Sequence, residues 1–235
     1  MPQKKVIIIG GGASGLSAAI AAARLGAAVT LLEANPRVGN KILVTGNGRC
    51  NLSHRDISPT DYNVPNFVSP VLSAYSCESV ESFFESLGLY AYADEDGRIY
   101  PISNNASSVL DVLRLECARL GVEVICDFKV VKLSLQSSGQ GFIALSSTGR
   151  QVMGDTVIAA TGGGASLLAD LGHQAVKCEP VLLPIRTKTE PIRGLSGVRV
   201  RCCASILAES YSQDGTKDLM PGATERGEIL FRDYG

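Results

Sequence analysis

The chain has 235 residues, of which 45% are hydrophobic and 19% are charged. This composition predicts a folded protein with a sizeable core and excludes an intrinsically disordered chain. Because 22 Lys and Arg residues oppose 23 Asp and Glu residues, the net charge is −1, without the basic excess typical of nucleic-acid-binding proteins. The apolar stretch near the N-terminus is too short and too polar for a membrane span. We therefore expect neither a nucleic-acid partner nor a membrane partner.

Seven cysteines are scattered through apolar segments, and no pair has the spacing of a zinc site. The sequence has only two histidines, His54 and His173, so it predicts no metal centre. The odd number of thiols predicts reduced, mostly buried side chains in a cytoplasmic protein.

The first 33 residues follow a strand–turn–helix–strand pattern. A β-branched run at residues 6–9 predicts a buried strand, an alanine-rich run at 13–25 predicts a helix ended by Gly26, and residues 28–32 predict a second strand. Between the first strand and the helix, Gly10, Gly12 and Gly15 have the GxGxxG spacing of dinucleotide-binding turns. The first glycine of such a turn allows a tight bend, the second lets a pyrophosphate approach the backbone, and the third lets the helix pack on the strand.

This turn predicts a dinucleotide site at the start of the helix, where Ala13, Ser14 and Gly15 present backbone amides to phosphates. Glu33 and Ala34 follow the second strand, and Glu33 lies 18 residues after Gly15. A carboxylate there accepts a hydrogen bond from the ribose 2′-hydroxyl and repels a 2′-phosphate, so FAD or NAD is favoured over NADP. The alternative is a plain βαβ unit with a glycine turn and no nucleotide.

Beyond residue 34 the sequence predicts a long loop followed by a mixture of helices and strands. Residues 35–66 lack periodicity, which in a compact domain is typical of a functional loop. Two helices follow, at 77–87 with Ser76 as N-cap and to residue 120 with Asn105 as N-cap. Between them, Asp96 and Gly97 predict a hairpin with a two-residue turn. The later strands are expected at residues 122–126, 130–133, 142–145, 151–153 and 156–160.

The order of these strands favours FAD over NAD. In a simple NAD dehydrogenase the βαβ pattern would continue, whereas here three short antiparallel strands precede the strand at 156–160. This order resembles the two-domain flavoproteins of the glutathione-reductase type. The resemblance implies that Val130 or Val131 contacts the adenine of FAD. It also implies that a glycine-rich run lies against the FAD ribose and pyrophosphate, namely Ala160, Thr161, Gly162 and Gly163.

The predicted fold class is α/β. It comprises a Rossmann-like FAD-binding domain of the glutathione-reductase type, with a parallel sheet and a three-stranded antiparallel meander, and the start of a β-rich second domain. Because the pattern becomes β-rich from Val181 onward, we place the FAD-binding domain at residues 1–183 and the partial second domain at residues 184–235.

Residues 39–53, GNKILVTGNGRCNLS, resemble the signature of the BaiN-like, or aminoacetone-oxidase-like, family of FAD-dependent oxidoreductases. Further matches extend over essentially the whole chain, at residues 97–103, 106–110, 160–164, 171–173, 180–184, 194–196 and 227–231.

The residues of this signature also fit a flavin site on chemical grounds. Lys41 and Arg49 can neutralise phosphate charge, and Gly48 permits close approach of the backbone to a planar ring. Cys50 and Asn51 are small polar groups suited to the edges of the flavin ring. The alternatives are a packed thiol without a redox role for Cys50 and a surface cation for Arg49.

Two departures from the family pattern predict a shortened member. Members carry a glycine-rich insertion after the Ala-Thr-Gly-Gly segment, whereas here Ser166 runs directly into Leu167. Members are also longer, and their chain returns from the second domain to close over the flavin, whereas this sequence stops at Gly235. The resemblance therefore implies a truncated member.

The resemblance implies an FAD-dependent oxidoreductase that moves hydride between the flavin and a small organic substrate. No second GxGxxG follows a strand, so electrons are expected from the substrate or from NAD(P)H bound transiently without a fingerprint of its own. The family permits amine oxidation with O2 or reduction of an enone-type substrate. The alternatives are a truncated nucleotide-binding fragment without turnover and an RNA-modifying flavoprotein, which the charge balance disfavours.

The sequence identifies no catalytic residue. His54 is the only imidazole near the flavin loop, and we interpret it as a loop residue rather than a general base. His173 follows Gly172 and is interpreted as the C-terminal cap of a helix. The oligomeric state is left open.

Overall fold

The computed structural model describes residues 2–137, 139–163, 165–174, 176, 185–211 and 217–232. The chain divides into two compact units, residues 1–177 and 178–235. The predicted boundary between residues 183 and 184 lies outside the described residues, so the assignment of an FAD-binding domain and a partial second domain stays a prediction.

The described part of the first unit contains four helices and ten strands. The helices are α1 (Ala13–Arg24), α2 (Pro65–Ala74), α3 (Cys77–Glu85) and α4 (Ala106–Arg119). The strands are β1 (Lys5–Ile9), β2 (Ala28–Leu32), β3 (Ser53–His54), β4 (Ala91–Ala93), β5 (Arg98–Pro101), β6 (Glu123–Ile125), β7 (Val130–Leu135), β8 (Phe142–Ser146), β9 (Gln151–Gly154) and β10 (Thr156–Ala159).

Four strands form a parallel sheet in the order β10-β1-β2-β6, and β7, β8 and β9 form the predicted antiparallel meander. Successive side chains of β1 belong to two hydrophobic clusters. Ile8 lies in one cluster with Leu16 of α1 and Leu113 of α4, whereas Ile7 and Ile9 lie in the other with the meander. The sheet is therefore covered on both faces, which explains the continuous β-branched run. This packing fixes the carboxyl ends of β1, β2 and β10.

The predicted helix ends are confirmed by their caps. Asn105 Oδ1 accepts a hydrogen bond from the Ser107 amide at 3.0 Å, and Ser76 Oγ accepts one from the Ser79 amide at 3.4 Å. Gly26 and Gly121 follow α1 and α4 with positive φ, as expected at the end of a helix.

The predicted two-residue hairpin turn is wrong. Strands β4 and β5 pair as expected, but Asp94 closes the turn by donating its amide to the Arg98 carbonyl at 2.9 Å, which leaves three residues between them. The Asp94 side chain accepts hydrogen bonds from the amides of Asp96 and Arg98, and Gly97 has a φ of 81°. A three-residue turn with glycine in the left-handed conformation is the next commonest hairpin connection.

The segment predicted as a loop at residues 35–66 contains more structure than expected. It holds 3-10 turns over Ile42–Gly48, the short strand β3 and the first residues of α2. Helix α2 escaped prediction because it carries two prolines and exposes Phe67 and Val71 to solvent instead of burying an apolar stripe.

The second unit contains an antiparallel pair, β11 (Arg199–Tyr211) and β12 (Lys217–Leu230). The expected β-rich character is thus confirmed for the described residues of this unit. In the parts of the chain that the structure describes, no helix is long and apolar enough to cross a membrane.

Candidate nucleotide-binding site

The glycine turn at the end of β1 has no room for a side chain at Gly10 or Gly15. Gly10 has a φ of +108°, and a Cβ there would lie 2.4 Å from the Ala160 carbonyl oxygen. A Cβ at Gly15 would lie 1.8 Å from the carbonyl oxygen of Gly10, so α1 begins in contact with the turn. A Cβ at Gly12, by contrast, would meet no described atom within 4 Å. The turn is therefore closed on the protein side and open above Gly12, as a pyrophosphate site requires.

The N-terminus of α1 offers unpaired amides to this open space. Its N-cap is Gly12, which supplies no side-chain hydrogen bond, and the first turn contains no acidic residue. The amides of Ala13, Ser14 and Gly15 therefore lack a side-chain acceptor among the described residues. Such a helix end carries a partial positive charge and binds anions.

The Glu33 carboxylate accepts three hydrogen bonds, one of them from the glycine turn. The residue is only 8% exposed. Its Oε2 accepts the Gly11 amide at 2.6 Å, and its Oε1 accepts the Asn35 amide at 2.9 Å and Asn35 Nδ2 at 2.6 Å. The carboxylate is thus fixed where the sequence predicts the ribose, while Ala34 is exposed beside it.

The meander begins beside Glu33. The Phe128 amide donates to the Glu33 carbonyl at 2.8 Å. The Phe128 side chain is buried, and the Arg150 guanidinium lies 4.8 Å from the centroid of the Phe128 ring. Val130 is partly buried against the core, and Val131 is the extra residue of a β-bulge. Val130 and Val131, the predicted adenine contacts, therefore closely follow Phe128, whose backbone is hydrogen-bonded to Glu33, the predicted ribose ligand.

The segment after β10 closes the other side of the turn. The Ala160 amide donates to the Ile9 carbonyl at 2.8 Å, which sets Ala160 and Thr161 against Gly10. Gly162 has a φ of 72°, and Lys41 Nζ lies 3.8 Å from where its Cβ would be. Gly163 is exposed. The structure therefore brings Lys41 of the signature to the predicted pyrophosphate segment.

The signature loop is anchored at its first residue. The Gly39 amide donates to the Gly11 carbonyl at 2.8 Å, and a Cβ at Gly39 would lie 2.2 Å from Leu110 Cδ1 of α4. Further along, Asn47 and Cys50 have φ values of 57° and 61°, which is uncommon for residues with side chains and is typical of functional segments.

Arg49 and Cys50 are both held by the protein. The Arg49 guanidinium lies 4.3 Å from the centroid of the Tyr100 ring, so its predicted phosphate role stays a prediction. Cys50 is buried in the larger cluster, and burial raises the pKa of its thiol against the opposing effect of a hydrogen bond with Thr45. This environment favours the packed-thiol interpretation. Gly48 and Asn51 flank the pair, and Asn51 is exposed.

The ring of His54 and the backbone amide of His173 have hydrogen-bond partners within the protein. His54 Nδ1 accepts the Asp56 amide at 3.1 Å, so Nε2 carries the proton and donates to the Asp96 carbonyl at 2.7 Å. Both ring nitrogens are engaged by the protein, which agrees with a structural role, but the predicted loop placement is wrong because His54 lies in strand β3 and pairs with Arg98 of β5. The His173 amide donates to the Leu168 carbonyl at 3.3 Å, at the end of the 3-10 turns over Ala165–Leu171.

The six described cysteines are all free thiols; Cys178 lies outside the described residues.

Three residues at the site were missed by the sequence analysis. Asn35, next to Ala34, follows an acid in a turn, which is a recognisable signal for side-chain capping. Tyr100 and Phe128 give no local signal, because their partners lie far away along the chain.

Comparison with known proteins identifies the family. The model of the HI0933-like protein Rossmann domain matches residues 4–179, more than half of the chain. The chain belongs to this family. Over 233 residues it is 38% identical to the 3-dehydro-bile acid delta(4,6)-reductase of Clostridium scindens, covering 92% of this chain and 56% of that protein. The predicted resemblance is thus confirmed.

A second relative is the ribosomal RNA dihydrouridine synthase of Haemophilus influenzae, 29% identical over 160 residues that cover 67% of this chain and 40% of that protein. The chain therefore spans about half the length of the curated relatives it matches.

Solved structures confirm the fold class. Thermovibrio ammonificans THI4 is similar with a TM-score of 0.51 at 17% identity, over 72% of this chain and 61% of that chain. The open conformation of a flavocytochrome c3 fumarate reductase is similar with a TM-score of 0.53 at 20% identity, over 68% of this chain and 34% of that chain. The predicted α/β Rossmann-type fold is therefore correct.

Proposed function

We propose that this chain is the FAD-binding part of a cytoplasmic oxidoreductase. The observation that carries the proposal is the meeting of three features at the carboxyl ends of β1, β2 and β10. These are a glycine turn open above Gly12, a helix end with unpaired amides, and the buried carboxylate of Glu33. Ligands of Rossmann-type sheets bind in the crevice outside the carboxyl ends of the strands, where these features meet.

Each group of predicted site residues would serve one part of FAD. The amides of Ala13, Ser14 and Gly15 would hold the pyrophosphate, with Lys41 supplying positive charge from the side of Gly162. Glu33 would hold the adenosine ribose, and its buried negative charge disfavours a 2′-phosphate there. The adenine would lie against Val130 or Val131. The flavin end would lie toward the signature loop, at Gly48, Arg49, Cys50 and Asn51.

Bound FAD supplies hydride chemistry, and the protein supplies binding and orientation. The names of both relatives describe addition of hydrogen to a substrate, since one is a reductase and the other makes dihydrouridine, which is uridine with two added hydrogens. This agreement favours reduction over amine oxidation. We therefore propose reduction of a carbon–carbon double bond conjugated with a carbonyl in a small organic substrate, with NAD(P)H as the transient donor.

A second candidate function is RNA modification, which the dihydrouridine synthase relatives favour at 29% and 26% identity. The net charge of −1 argues against it, because the chain has no basic excess to neutralise a phosphate backbone.

The decisive experiment is an absorbance spectrum of the freshly purified chain, in search of flavin bands. Yellow protein that NADH or NADPH bleaches without oxygen, and that 2-cyclohexenone reoxidises, would support the proposal. Colourless protein that binds ADP but no added FAD would support a nucleotide-binding fragment instead. Reoxidation by ribosomal RNA and not by the enone would favour the second candidate.

A further inference from the structure

The carboxylate of Glu33 has little accepting capacity left for a ligand. An ionised carboxylate offers about four lone-pair positions, two on each oxygen. Asn35 occupies both positions on Oε1 through its backbone amide and its Nδ2, and the Gly11 amide occupies one on Oε2. One position remains, on Oε2. A ribose has two neighbouring hydroxyls, so Glu33 in this arrangement can accept only one of them.

The side chain of Asn35 supplies a second acceptor next to the first. Because Glu33 Oε1 can only accept, the Asn35 amide must turn Nδ2 toward it, which fixes the orientation of the carboxamide. Its Oδ1 then accepts no hydrogen bond from any residue that the structure describes. The residue is exposed, whereas Glu33 is buried, so this acceptor lies on a solvent-accessible side chain next to the carboxylate.

We infer that Glu33 and Asn35 together form a two-acceptor site for the vicinal hydroxyls of the adenosine ribose. Glu33 Oε2 accepts one hydroxyl and Asn35 Oδ1 accepts the other. This inference rests on the proposed function, since it takes the nucleotide to lie on the glycine turn. Asn35 thus has two roles, because it also holds Glu33 in position. The site therefore favours nucleotides that carry both hydroxyls over nucleotides that lack either one.

Calorimetric titrations with ADP, 2′-deoxy-ADP and 3′-deoxy-ADP separate these roles in the full chain. The unmodified protein should bind both deoxy analogues more weakly than ADP. The loss should be about ten- to hundredfold for the hydroxyl on Glu33 and about two- to tenfold for the hydroxyl on Asn35. In Asn35→Ala, one of the two penalties should disappear while the other persists. The analogue that is no longer penalised identifies the hydroxyl that Asn35 binds.

The control is Asn63→Ala, which removes an exposed asparagine ahead of α2 and should leave both penalties unchanged. If Asn35→Ala fails to fold by circular dichroism, Asn35→Ser tests the same point with a shorter side chain. Two full penalties in a folded Asn35 variant would overturn the inference and leave the proposed function standing. An unmodified protein that binds FAD but penalises neither analogue would overturn the ribose assignment itself. Absence of both flavin and ADP binding would overturn the proposed function, and the inference with it.

Discussion

Arg24 of α1 donates two hydrogen bonds to Glu116 of α4, from Nε at 3.1 Å and from Nη2 at 2.8 Å. Glu116 is buried and also accepts two from Arg119, while Arg24 reaches Ser86 beyond α3 at 3.2 Å. One carboxylate therefore links the helices that cover the sheet below the glycine turn.

Replacing Glu116 by glutamine should lower the free energy of unfolding by about 1–2 kcal/mol, because it leaves a partly buried guanidinium without its counter-charge. The urea midpoint measures this loss. Asp111→Asn on the same helix is the matched control, since the pair of Asp111 with Arg114 is exposed at 3.7 Å and should contribute almost nothing. Equal effects of the two variants would show that the link is not structural.

The same carboxylate should make stability depend on pH in the acid range. Hydrogen bonds from Arg119, opposed by burial and assisted by Arg24, lower the pKa of Glu116 from 4.5 to about 2. A lowered pKa in the folded state contributes stability that is complete above the ordinary value and is lost as pH falls from about 4.5 toward 2. Urea midpoints measured across this interval should decline less steeply in Glu116→Gln than in the unmodified protein. Parallel profiles would contradict the assignment.

Alanine at two glycines of the turn should separate folding from binding. Gly15→Ala places a methyl 1.8 Å from the Gly10 carbonyl oxygen and should lower the melting temperature, because helix α1 must shift. Gly12→Ala meets no described atom and should melt normally, yet it should lose FAD affinity because its methyl occupies the proposed pyrophosphate space. Thermal melts and flavin fluorescence titrations measure the two effects. Full FAD affinity in Gly12→Ala would show that the pyrophosphate lies elsewhere.

Glu33→Ala should weaken FAD binding by about 1.5–3 kcal/mol through loss of a charge-assisted hydrogen bond to ribose. It also leaves the Gly11 amide without its acceptor, so the melting temperature is measured alongside the affinity. Glu123→Ala serves as the control, because that exposed carboxylate of β6 accepts only the Thr30 hydroxyl, at 3.0 Å, among the described residues. An unchanged affinity in folded Glu33→Ala would remove the ribose assignment.

Cysteine labelling should follow burial. Burial raises the pKa of Cys50 above its ordinary value and that of Cys117 to about 11, whereas Cys203 is exposed. Because the thiolate is the reactive form, iodoacetamide at mildly alkaline pH should label Cys203 first and Cys50 and Cys117 slowly. Mass spectrometry of peptides measures the order. Fast labelling of Cys50 would restore a redox role for the signature thiol.

The sequence predicts the first βαβ unit well because its signals are local. The three glycines and the β-branched run each act within a few residues, and the same holds for the caps of α3 and α4 at Ser76 and Asn105. Helix α2 was missed because its apolar face is exposed, which leaves no periodicity to detect.

The missed site residues depend on contacts between distant segments. Arg49 contacts Tyr100, which lies 51 positions away in the sequence. The sequence analysis considered Arg49 as a phosphate ligand or a surface cation and did not predict this contact. Asn35 is close to Glu33 in sequence, but its role depends on how many lone pairs the carboxylate has left. That count requires the Gly11 contact, which only the folded turn provides.

The position of the glycine turn is decided by packing that lies entirely beneath it. Ile8 belongs to the helix side of the sheet, and Ile7 and Ile9 belong to the meander side. A slip of β1 by one residue would exchange the two sets and carry Gly10 about 3.3 Å along the strand. Anyone grafting this turn onto another scaffold would therefore have to transplant both supporting layers. The residues of the turn alone do not determine its position along the strand.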